Sequence, residues 1–469
     1  MAGQATIGDR IRGLRLSRHM SQAQLAGPDL SDSYVSLIES GKRTPTPVVT
    51  RLLADRLGCG MEFLLHGIEP HQRVDTVLAL RQAELELCHG DPAAAAGLFE
   101  ATARAAGEEN ASLAAQARFG QARALEVQGH TERAVEAYEL LRREAAARPE
   151  RLADLPLVVA LCRCYHRAGD TLRARDLGAE ALAQADRLGL DRGDLALDLA
   201  AVLAEVETDL AYVERVLAAA PLPEAVDRDA EVLGLWRAST AATEKDPALA
   251  ARLAADAVAA GRPARMAVRY ARSAMRWAWT ATVRPEDAGL DRAGGFAASA
   301  AEILSRLSPG TIEHARSLVV LSRVRSRSGD ADAAAELVEQ AVGLLAGVRG
   351  TVPAMAYVVS AELALARSKD GGPALEKAQE LLADPVARAA PAASFVDRES
   401  ARLWREIGDL WGRAGSPERQ TNAYRSALEA VGISSRAEPP AGSTLPEVAV
   451  PAVLAVPAHL DVSHESRAG

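Results

Sequence analysis

The side chains best suited to molecular recognition lie close together in one stretch near the amino terminus, residues 31–43. The stretch begins with short polar residues and ends with a basic pair, reading Ser-Asp-Ser-Tyr-Val-Ser-Leu-Ile-Glu-Ser-Gly-Lys-Arg. Hydroxyl and carboxylate groups exchange hydrogen bonds with polar surfaces, and lysine and arginine pair with anions such as phosphate. The chemistry open to this stretch is therefore non-covalent recognition.

The rest of the chain lacks the residue patterns typical of a catalytic centre. Its nine histidines and many carboxylates are scattered without an acid–base pair, and no Gly-rich phosphate loop or nucleophile elbow is present. The four cysteines, Cys59, Cys88, Cys162 and Cys164, form no CxxC motif and have no histidine at metal-ligand spacing. We therefore expect no enzymatic activity, no metal and no cofactor, and we expect the cysteines to be free thiols.

Local sequence signals predict five short helices in the amino-terminal segment, and the recognition stretch includes the third of them. Ser21 is suited to cap a helix that starts at Gln22, and Ser31 is suited to cap the next helix, which Gly41 ends. The other three are predicted by apolar spacing over residues 7–18, 48–57 and 61–65, the fourth helix following Pro45 and Pro47. Two short helices joined by a tight turn, with a glycine and a basic pair after the second, are typical of a helix-turn-helix.

The segment resembles the Cro and phage-repressor type of helix-turn-helix domain, the XRE family, over roughly residues 7–67. The matching features are Gln22, Leu25-Ala26, Ser31 before helix 3, the run Ile38-Glu39-x-Gly41-Lys42, and the proline that follows. The turn at residues 27–30 is one residue shorter than is usual in that family and includes a proline. The resemblance implies a DNA-binding domain over residues 1–67 whose third helix enters the major groove.

The resemblance also implies a role for individual residues. Those implied to contact base edges are Asp32, Ser33, Tyr34 and Leu37. Those implied to contact phosphates are Gln22, Ser40, Lys42 and Arg43. Arg15 and Glu39 are implied to form an internal ion pair between helix 1 and the recognition helix, which makes Glu39 structural. The alternative for the whole segment is a helix-turn-helix reused for protein contact.

The distribution of charge favours a DNA-binding protein that relies on a few phosphate contacts. Residues 1–67 contain eight Lys or Arg and six Asp or Glu, whereas the whole chain has a formal net charge of −9. A weakly basic head on an acidic body is not typical of a non-specific nucleic-acid binder. It fits a dimer that recognises double-stranded DNA at an inverted repeat.

Composition predicts an all-α chain with more than one domain. The chain has 469 residues, of which 48% are hydrophobic and only 4% aromatic, and alanine, leucine, arginine and glutamate are abundant. It has no run of eighteen apolar residues, and its first residues lack the features of a secretion signal. We expect a cytoplasmic protein, associated with the nucleoid through DNA, that does not contact a membrane. Residues 433–469 lack helical periodicity and are expected to be a disordered tail.

A repeated pattern fills residues 72–432: one helix, a glycine-containing turn, then a second helix. The turn glycines fall at positions 90, 129, 169, 329 and 415, and the interval from 169 to 329 corresponds to four periods of about 40 residues. The pattern resembles a tetratricopeptide-type α-solenoid with eight or nine helix pairs. Between residues 190 and 320 the pattern is degenerate. The alternative is an irregular, alanine-rich helical bundle.

One predicted helix in the repeats carries four arginines on a single face. They are Arg265, Arg269, Arg272 and Arg276. Four guanidinium groups can receive a carboxylate or phosphate, so this face is a possible ligand anion site; the alternative is a solvated face paired with acidic residues of neighbouring helices. The domain order is also similar to that of peptide-sensing regulators of Gram-positive bacteria. In that family asparagines clamp the peptide, but this chain has only Asn110 and Asn422.

Together these inferences predict a sequence-specific DNA-binding transcription regulator. Its repeats are expected to form a homodimer and to sense a peptide, a small ligand or a protein partner. The alternative function is a tetratricopeptide-type scaffold or adaptor that captures a regulatory protein and uses the helix-turn-helix as an accessory contact.

Overall fold

The computed structural model describes residues 6–66, 70–107, 110–147, 153–219, 225–283, 289–383 and 398–433. Within these ranges all regular secondary structure is α-helical, so the fold class is all-α, as predicted. The predicted tail lies outside the described residues from residue 434 onward. No helix in the described ranges combines the length and apolarity needed to cross a bilayer.

The amino-terminal domain contains the five predicted helices: α1 (Ile7–Ser17), α2 (Gln22–Ala26), α3 (Asp32–Glu39), α4 (Pro47–Leu57) and α5 (Met61–His66). Side chains of Ser21 and Ser31 accept hydrogen bonds from the first turns of α2 and α3. Thr46 caps α4, so the helix begins at Pro47, one residue before the predicted start at residue 48. Proline suits the first position of a helix because an N–H there would have no helical partner. The common core of the five helices consists mainly of fully buried aliphatic residues: Ile11, Leu25, Val35, Ile38, Leu53, Leu57 and Leu64.

The remaining described helices form nine antiparallel pairs, within the predicted eight or nine. They are α6 (Pro70–His89), α7 (Pro92–Ala106), α8 (Ala111–Val127), α9 (Thr131–Ala147), α10 (Asp154–Arg167), α11 (Thr171–Leu188), α12 (Asp194–Val206), α13 (Leu210–Ala219), α14 (Asp229–Ala242), α15 (Pro247–Ala260), α16 (Arg262–Val283), α17 (Leu290–Leu307), α18 (Ile312–Arg327), α19 (Ala331–Leu344), α20 (Thr351–Ala366), α21 (Gly372–Ala383), α22 (Arg398–Arg413) and α23 (Pro417–Ala430). Sequential pairs of this kind make tetratricopeptide-like repeats.

Two residues define the turn within several pairs. At α10–α11, Gly169 adopts a φ of 90° after the first helix, and the Asp170 side chain accepts a hydrogen bond from the first turn of the second. Gly329 and Asp330 do the same between α18 and α19. Glycine tolerates the left-handed backbone, and aspartate satisfies free N–H groups at a helix start. These turns therefore carry the glycine signal seen in the sequence.

Two turns in the region of degenerate pattern use other residues. Between α12 and α13 the left-handed positions belong to Glu207 (φ 59°) and Asp209 (φ 39°), and the turn between α14 and α15 contains no glycine. Four helix pairs nevertheless separate the turn at Gly169 from the turn at Gly329, counting the pair that contains Gly329. The spacing of the repeat is therefore maintained although these two turns lack the glycine.

The order of pairs in space differs from their order in the chain. Helix α12 packs on α16, whereas α15 packs on α6 at the start of the array. Leu85 of α6 is buried with Val232, Ala254 and Ala257 of α14 and α15. The pair α14–α15 thus leaves the stack and returns to its first pair. This arrangement brings α6, α8, α10, α12, α15 and α16 around one cavity.

Candidate DNA-binding surface and ligand cavities

A buried hydrogen-bond network holds α3 in the amino-terminal domain. The Nε of Arg15 lies 2.6 Å from Oε1 of Glu39, and its Nη2 lies 3.0 Å from Oε2. Gln22 donates from Nε2 to the same Oε2 over 2.8 Å, and Arg15 Nη1 donates to the carbonyl oxygen of Met20 over 2.8 Å. The network joins α1, α2 and α3, the three helices whose relative angle decides how a recognition helix is presented.

The ionisation of Glu39 depends on these partners. Burial by itself raises the pKa of this carboxyl, but the hydrogen bonds from Arg15 and Gln22 and the charge of Arg15 lower it below its ordinary value. The hydrogen bond to Glu39 in turn raises the pKa of Arg15. Both groups are therefore charged over the physiological range, and the pair is a fixed structural element.

The residues implied to contact bases lie along α3. Asp32, Ser33 and Leu37 are exposed, and the Leu37 side chain retains 39% of its accessible surface. The Asp32 carboxylate accepts a hydrogen bond from the backbone N–H of Ser33 over 2.8 Å. Tyr34 is half-buried against the domain core, and the guanidinium carbon of Arg43 lies 5.1 Å from its ring centroid. Tyr34 is thus more restrained than the other three.

The residues implied to contact phosphates fall into two groups. Ser40, Lys42 and Arg43 are exposed just after the end of α3, and the backbone N–H groups of Lys42 and Arg43 donate to the Leu37 carbonyl over 2.9 and 3.2 Å. Gln22 lies at the start of α2, where its side-chain amide donates to Glu39. The side chain of Gln22 therefore takes part in the buried network, which the spacing of the motif did not reveal.

Arg56 of α4 supports the short turn between α2 and α3. It donates from Nη1 to the carbonyl oxygen of Leu25 over 3.1 Å, also donates to that of Ala26, and pairs with Asp29. Gly27 has a φ of 52°, and a Cβ there would lie 2.8 Å from the Arg56 guanidinium carbon. Sequence reasoning missed Arg56 because no local signal connects it with a turn about thirty residues earlier.

The four arginines of α16 have different partners. Arg269 pairs with Asp198 at 3.0 Å, Arg272 with Glu313 at 3.3 Å and Arg276 with Glu207 at 3.5 Å. Within the described part of the chain, Arg265 has neutral partners: its guanidinium forms hydrogen bonds with His89 Nε2 and the Val258 carbonyl oxygen, both at 2.7 Å. Three of the four thus match the alternative of a face paired with neighbouring acidic residues.

The same four arginines are divided between two cavities. Arg265 and Arg269 line the α6–α16 cavity, a space of about 490 Å³ enclosed by α6, α8, α10, α12, α15 and α16, together with Arg123. Arg272 and Arg276 line the α10–α22 cavity, about 560 Å³, between α10, α12, α16, α18, α20 and α22. The four arginines therefore do not line one common cavity; each of the two cavities contains two of them.

A larger depression of about 1010 Å³ lies along α9, α10 and α11 and is more open to solvent than the α10–α22 cavity. Its Arg142 pairs with Asp154 at 3.1 Å and also with Glu180, and Arg173 lies over the ring of Tyr165 at 5.3 Å. These cations already have partners, so the depression offers less unmatched charge to a ligand than its size suggests.

The described residues contain no cluster of three or more His, Cys, Asp or Glu arranged to hold a metal ion. The buried thiols of Cys162 and Cys164 have pKa values raised to about 12, chiefly by burial, so they stay protonated near neutral pH. Cys162 donates to the Ala174 carbonyl oxygen at 3.0 Å and therefore acts in packing between α10 and α11.

Comparison with known proteins identifies the amino-terminal domain. Residues 11–64 match the helix-turn-helix family model, and this segment is an XRE-type helix-turn-helix domain followed by tetratricopeptide-like repeats. No curated protein matches the chain.

Several solved structures match much of the length of the chain. A Rap protein complexed with competence and sporulation factor is 11% identical, with 90% of this chain and 98% of that chain covered and a TM-score of 0.40. The apo quorum sensor NprR from B. thuringiensis is 12% identical, with 75% and 97% covered and a TM-score of 0.32. PlcR from Bacillus thuringiensis, in complex with the peptide PapR7 and DNA, is 12% identical, with 73% and 95% covered and a TM-score of 0.25.

Proposed function

We propose that the chain is a sequence-specific DNA-binding transcription regulator. The observation that carries this proposal is the presentation of α3: its inner side is held by the Arg15–Glu39–Gln22 network, while Asp32, Ser33 and Leu37 are exposed on it. A rigid helix with a polar outer surface suits the major groove, where hydrogen bonds and methyl contacts distinguish base pairs.

In this proposal the residues of α3 read bases and the residues after it bind phosphates. Ser33 and Asp32 exchange hydrogen bonds with base edges, Leu37 packs on a thymine methyl group, and Tyr34 contacts a base from its restrained position. Lys42 and Arg43, with Ser40 and Gln22, contact the phosphate backbone, which adds affinity without sequence information.

The proposal extends to the repeats. A helical array presents an inner surface that can enclose a peptide, a small molecule or a segment of a protein partner, and two copies joined through their arrays would set the distance between two helix-turn-helix domains. A dimer of this kind reads an inverted repeat in double-stranded DNA. It would act in the cytoplasm, at the nucleoid, with no cofactor and without catalysis.

The decisive experiment is selection of genomic DNA fragments by the purified full-length protein, followed by fluorescence anisotropy of the selected fragments at two salt concentrations. We expect an inverted repeat bound far more tightly than random DNA. Weak binding of similar strength to every sequence, with a steep salt dependence, would contradict the proposal and favour a scaffold that captures a regulatory protein.

Two sets of variants separate the proposed roles. Replacing Lys42 and Arg43 by alanine should weaken binding to all DNA and reduce the slope of log affinity against log salt by about 1 for each lost phosphate contact. Ser33→Ala should instead change which sequences are preferred. Arg325→Ala, which removes one exposed positive charge from α18, is the control and should leave both properties as they are.

A further inference from the structure

Three arginines of the α10–α22 cavity, Arg276, Arg398 and Arg402, have few carboxylates near them to balance their positive charge. Arg402 pairs with Glu207 at 2.9 Å, and Arg276 approaches the same carboxylate at 3.5 Å. Arg398 donates from Nη2 to the carbonyl oxygen of Gly169 over 2.8 Å and has no carboxylate partner within the described part of the chain. One carboxylate thus serves two guanidiniums, and the third has only a neutral acceptor.

The other acidic residues of the cavity are mostly occupied elsewhere. Three of its four glutamates pair with other arginines: Glu313 with Arg272, Glu399 with Arg316 at 2.6 Å and Glu406 with Arg323 at 2.8 Å. The fourth, Glu205, adds one negative charge to the lining. Together with Glu207 it leaves the three guanidiniums with at least one uncompensated positive charge.

Two buried nitrogen atoms of this cluster have no hydrogen-bond partner among the residues that the structure describes. They are Nδ1 of His166, on α10, and Nε of Arg276. Burial, and then the charges of Arg398, Arg276 and Arg402, lower the pKa of His166 to about 4, so the imidazole is neutral at neutral pH. Buried polar groups in folded proteins are nearly always hydrogen-bonded, so unpaired nitrogens beside excess positive charge indicate that an acceptor belongs there.

We propose that His166, Arg276, Arg398 and Arg402 bind a small anion of the carboxylate or phosphate class. Its oxygens would accept hydrogen bonds from Arg276 Nε, from the guanidinium of Arg398 and from the imidazole. This inference rests on the proposed function in one respect, since it names the class of ligand that the repeats sense.

The site also suggests how the ligand acts on the molecule. His166 belongs to α10 and Arg276 to α16, whereas Arg398 and Arg402 belong to the first turns of α22, more than two hundred residues beyond His166. An anion between them joins the end of the array to its middle. Binding therefore stabilises the packing of α22 beside α10 and α16 found in this structure, because the anion offsets the repulsion among the arginines.

Calorimetric titration of the full-length protein with citrate and, separately, with inorganic phosphate tests the proposal. We expect at least one of the two anions to bind. The anion that binds more tightly shows whether the site prefers a carboxylate or a phosphate. Arg398→Gln and Arg402→Gln should each weaken binding by about tenfold or more, because a charge-assisted hydrogen bond is lost. Arg325→Gln is the matched control and should bind as the native protein does.

A second readout concerns His166 alone. A bound anion stabilises the imidazolium form, so adding the stronger ligand should raise the pKa of His166 in a nuclear magnetic resonance titration, with His166→Gln used to assign the signal. The resonances of the exposed His130 ring should not respond to the ligand.

Three results would overturn the inference: no binding of either anion, equal binding by native protein and both variants, or loss of binding only in Arg265→Gln, which would place the anion in the α6–α16 cavity. These assays contain no DNA. A failure of DNA binding would therefore leave their outcome intact, and the reverse also holds.

Discussion

At the scale of single residues, Gly8 lies where α1 crosses the recognition helix. A Cβ at this position would be 2.2 Å from the carbonyl oxygen of Ile38 and 3.1 Å from that of Glu39. Both oxygens belong to backbone, which has little freedom to move, so glycine is needed for the close approach that also brings Arg15 to Glu39.

We expect Gly8→Ala to destabilise the amino-terminal domain by about 1–3 kcal/mol, the usual cost of overpacking a filled interior, and to weaken DNA binding. Denaturant unfolding followed by anisotropy with the selected DNA measures both effects. Gly13→Ala is the control: nothing lies within 4 Å of its Cβ, and alanine in an exposed helix position stabilises by up to about 1 kcal/mol. Equal effects of the two substitutions would contradict the assigned contact.

The Arg15–Glu39 pair makes the stability of this domain depend on pH. Because folding lowers the pKa of Glu39 from its ordinary 4.5, its contribution is fully present above pH 4.5 and is lost as the pH falls through the folded-state value. We expect Glu39→Gln to be less stable than the native protein at neutral pH and to lose less stability on acidification. Unfolding measured between neutral and acidic pH tests this, with Asp55→Asn, at an exposed carboxylate, as the control. Parallel pH curves for native protein and Glu39→Gln would be inconsistent with it.

At the scale of helices, Arg323 joins three inner helices of the carboxy-terminal half. Its side chain is 7% exposed on α18, with Nη1 2.8 Å from Glu406 of α22 and Nε 3.4 Å from Glu362 of α20. The guanidinium carbon also lies 4.1 Å from the ring centroid of Trp279 on α16. Helix packing here is therefore specified by charge and ring geometry as well as by apolar contact.

Arg323→Leu should destabilise the repeats by about 3–5 kcal/mol, because it leaves the half-buried Glu406 without its counter-ion and leaves Glu362 with Arg327 alone, 3.5 Å away. Chemical denaturation gives the difference. Arg325→Leu, on the same helix but exposed, should change stability by less than about 0.5 kcal/mol. Adding Glu362→Leu and Glu406→Leu to Arg323→Leu should recover part of the loss; no recovery would show that the arginine acts through packing alone.

At the scale of the whole molecule, the contact of α14–α15 with α6 closes the first part of the array. Ala254 is fully buried there against Leu85 and Val232, and Gln82 of α6 donates a hydrogen bond to Thr243 over 3.2 Å. The pair α14–α15 covers a helix face that would otherwise be the exposed start of a linear array.

Ala254→Leu should overpack this contact, cost about 1–3 kcal/mol and increase hydrogen exchange in α6. Mass spectrometry of exchanged peptides spanning residues 70–89 measures the effect. Ala248→Leu, at an exposed position of the same helix, should leave exchange in α6 as it is. Unchanged protection of α6 in Ala254→Leu would mean that α14–α15 does not close the array in solution.

The features that can be derived from the sequence are local. Capping by Ser21 and Ser31, termination at Gly41, the helical class and the four periods between positions 169 and 329 all follow from signals that act within a turn or two of a helix. The helix-turn-helix could be predicted for the same reason, since its elements are contiguous in the chain.

Which distant residues meet is visible in the folded chain alone. The fold placed Arg56 on the turn at Gly27, divided the arginines of α16 between two cavities, and brought Arg398 to the carbonyl of Gly169, 229 residues earlier. In an array of similar helix pairs, the same pattern of apolar residues permits many stacking orders. The order found depends on which buried faces and charges fit across the whole superhelix, and no short-range signal encodes that fit.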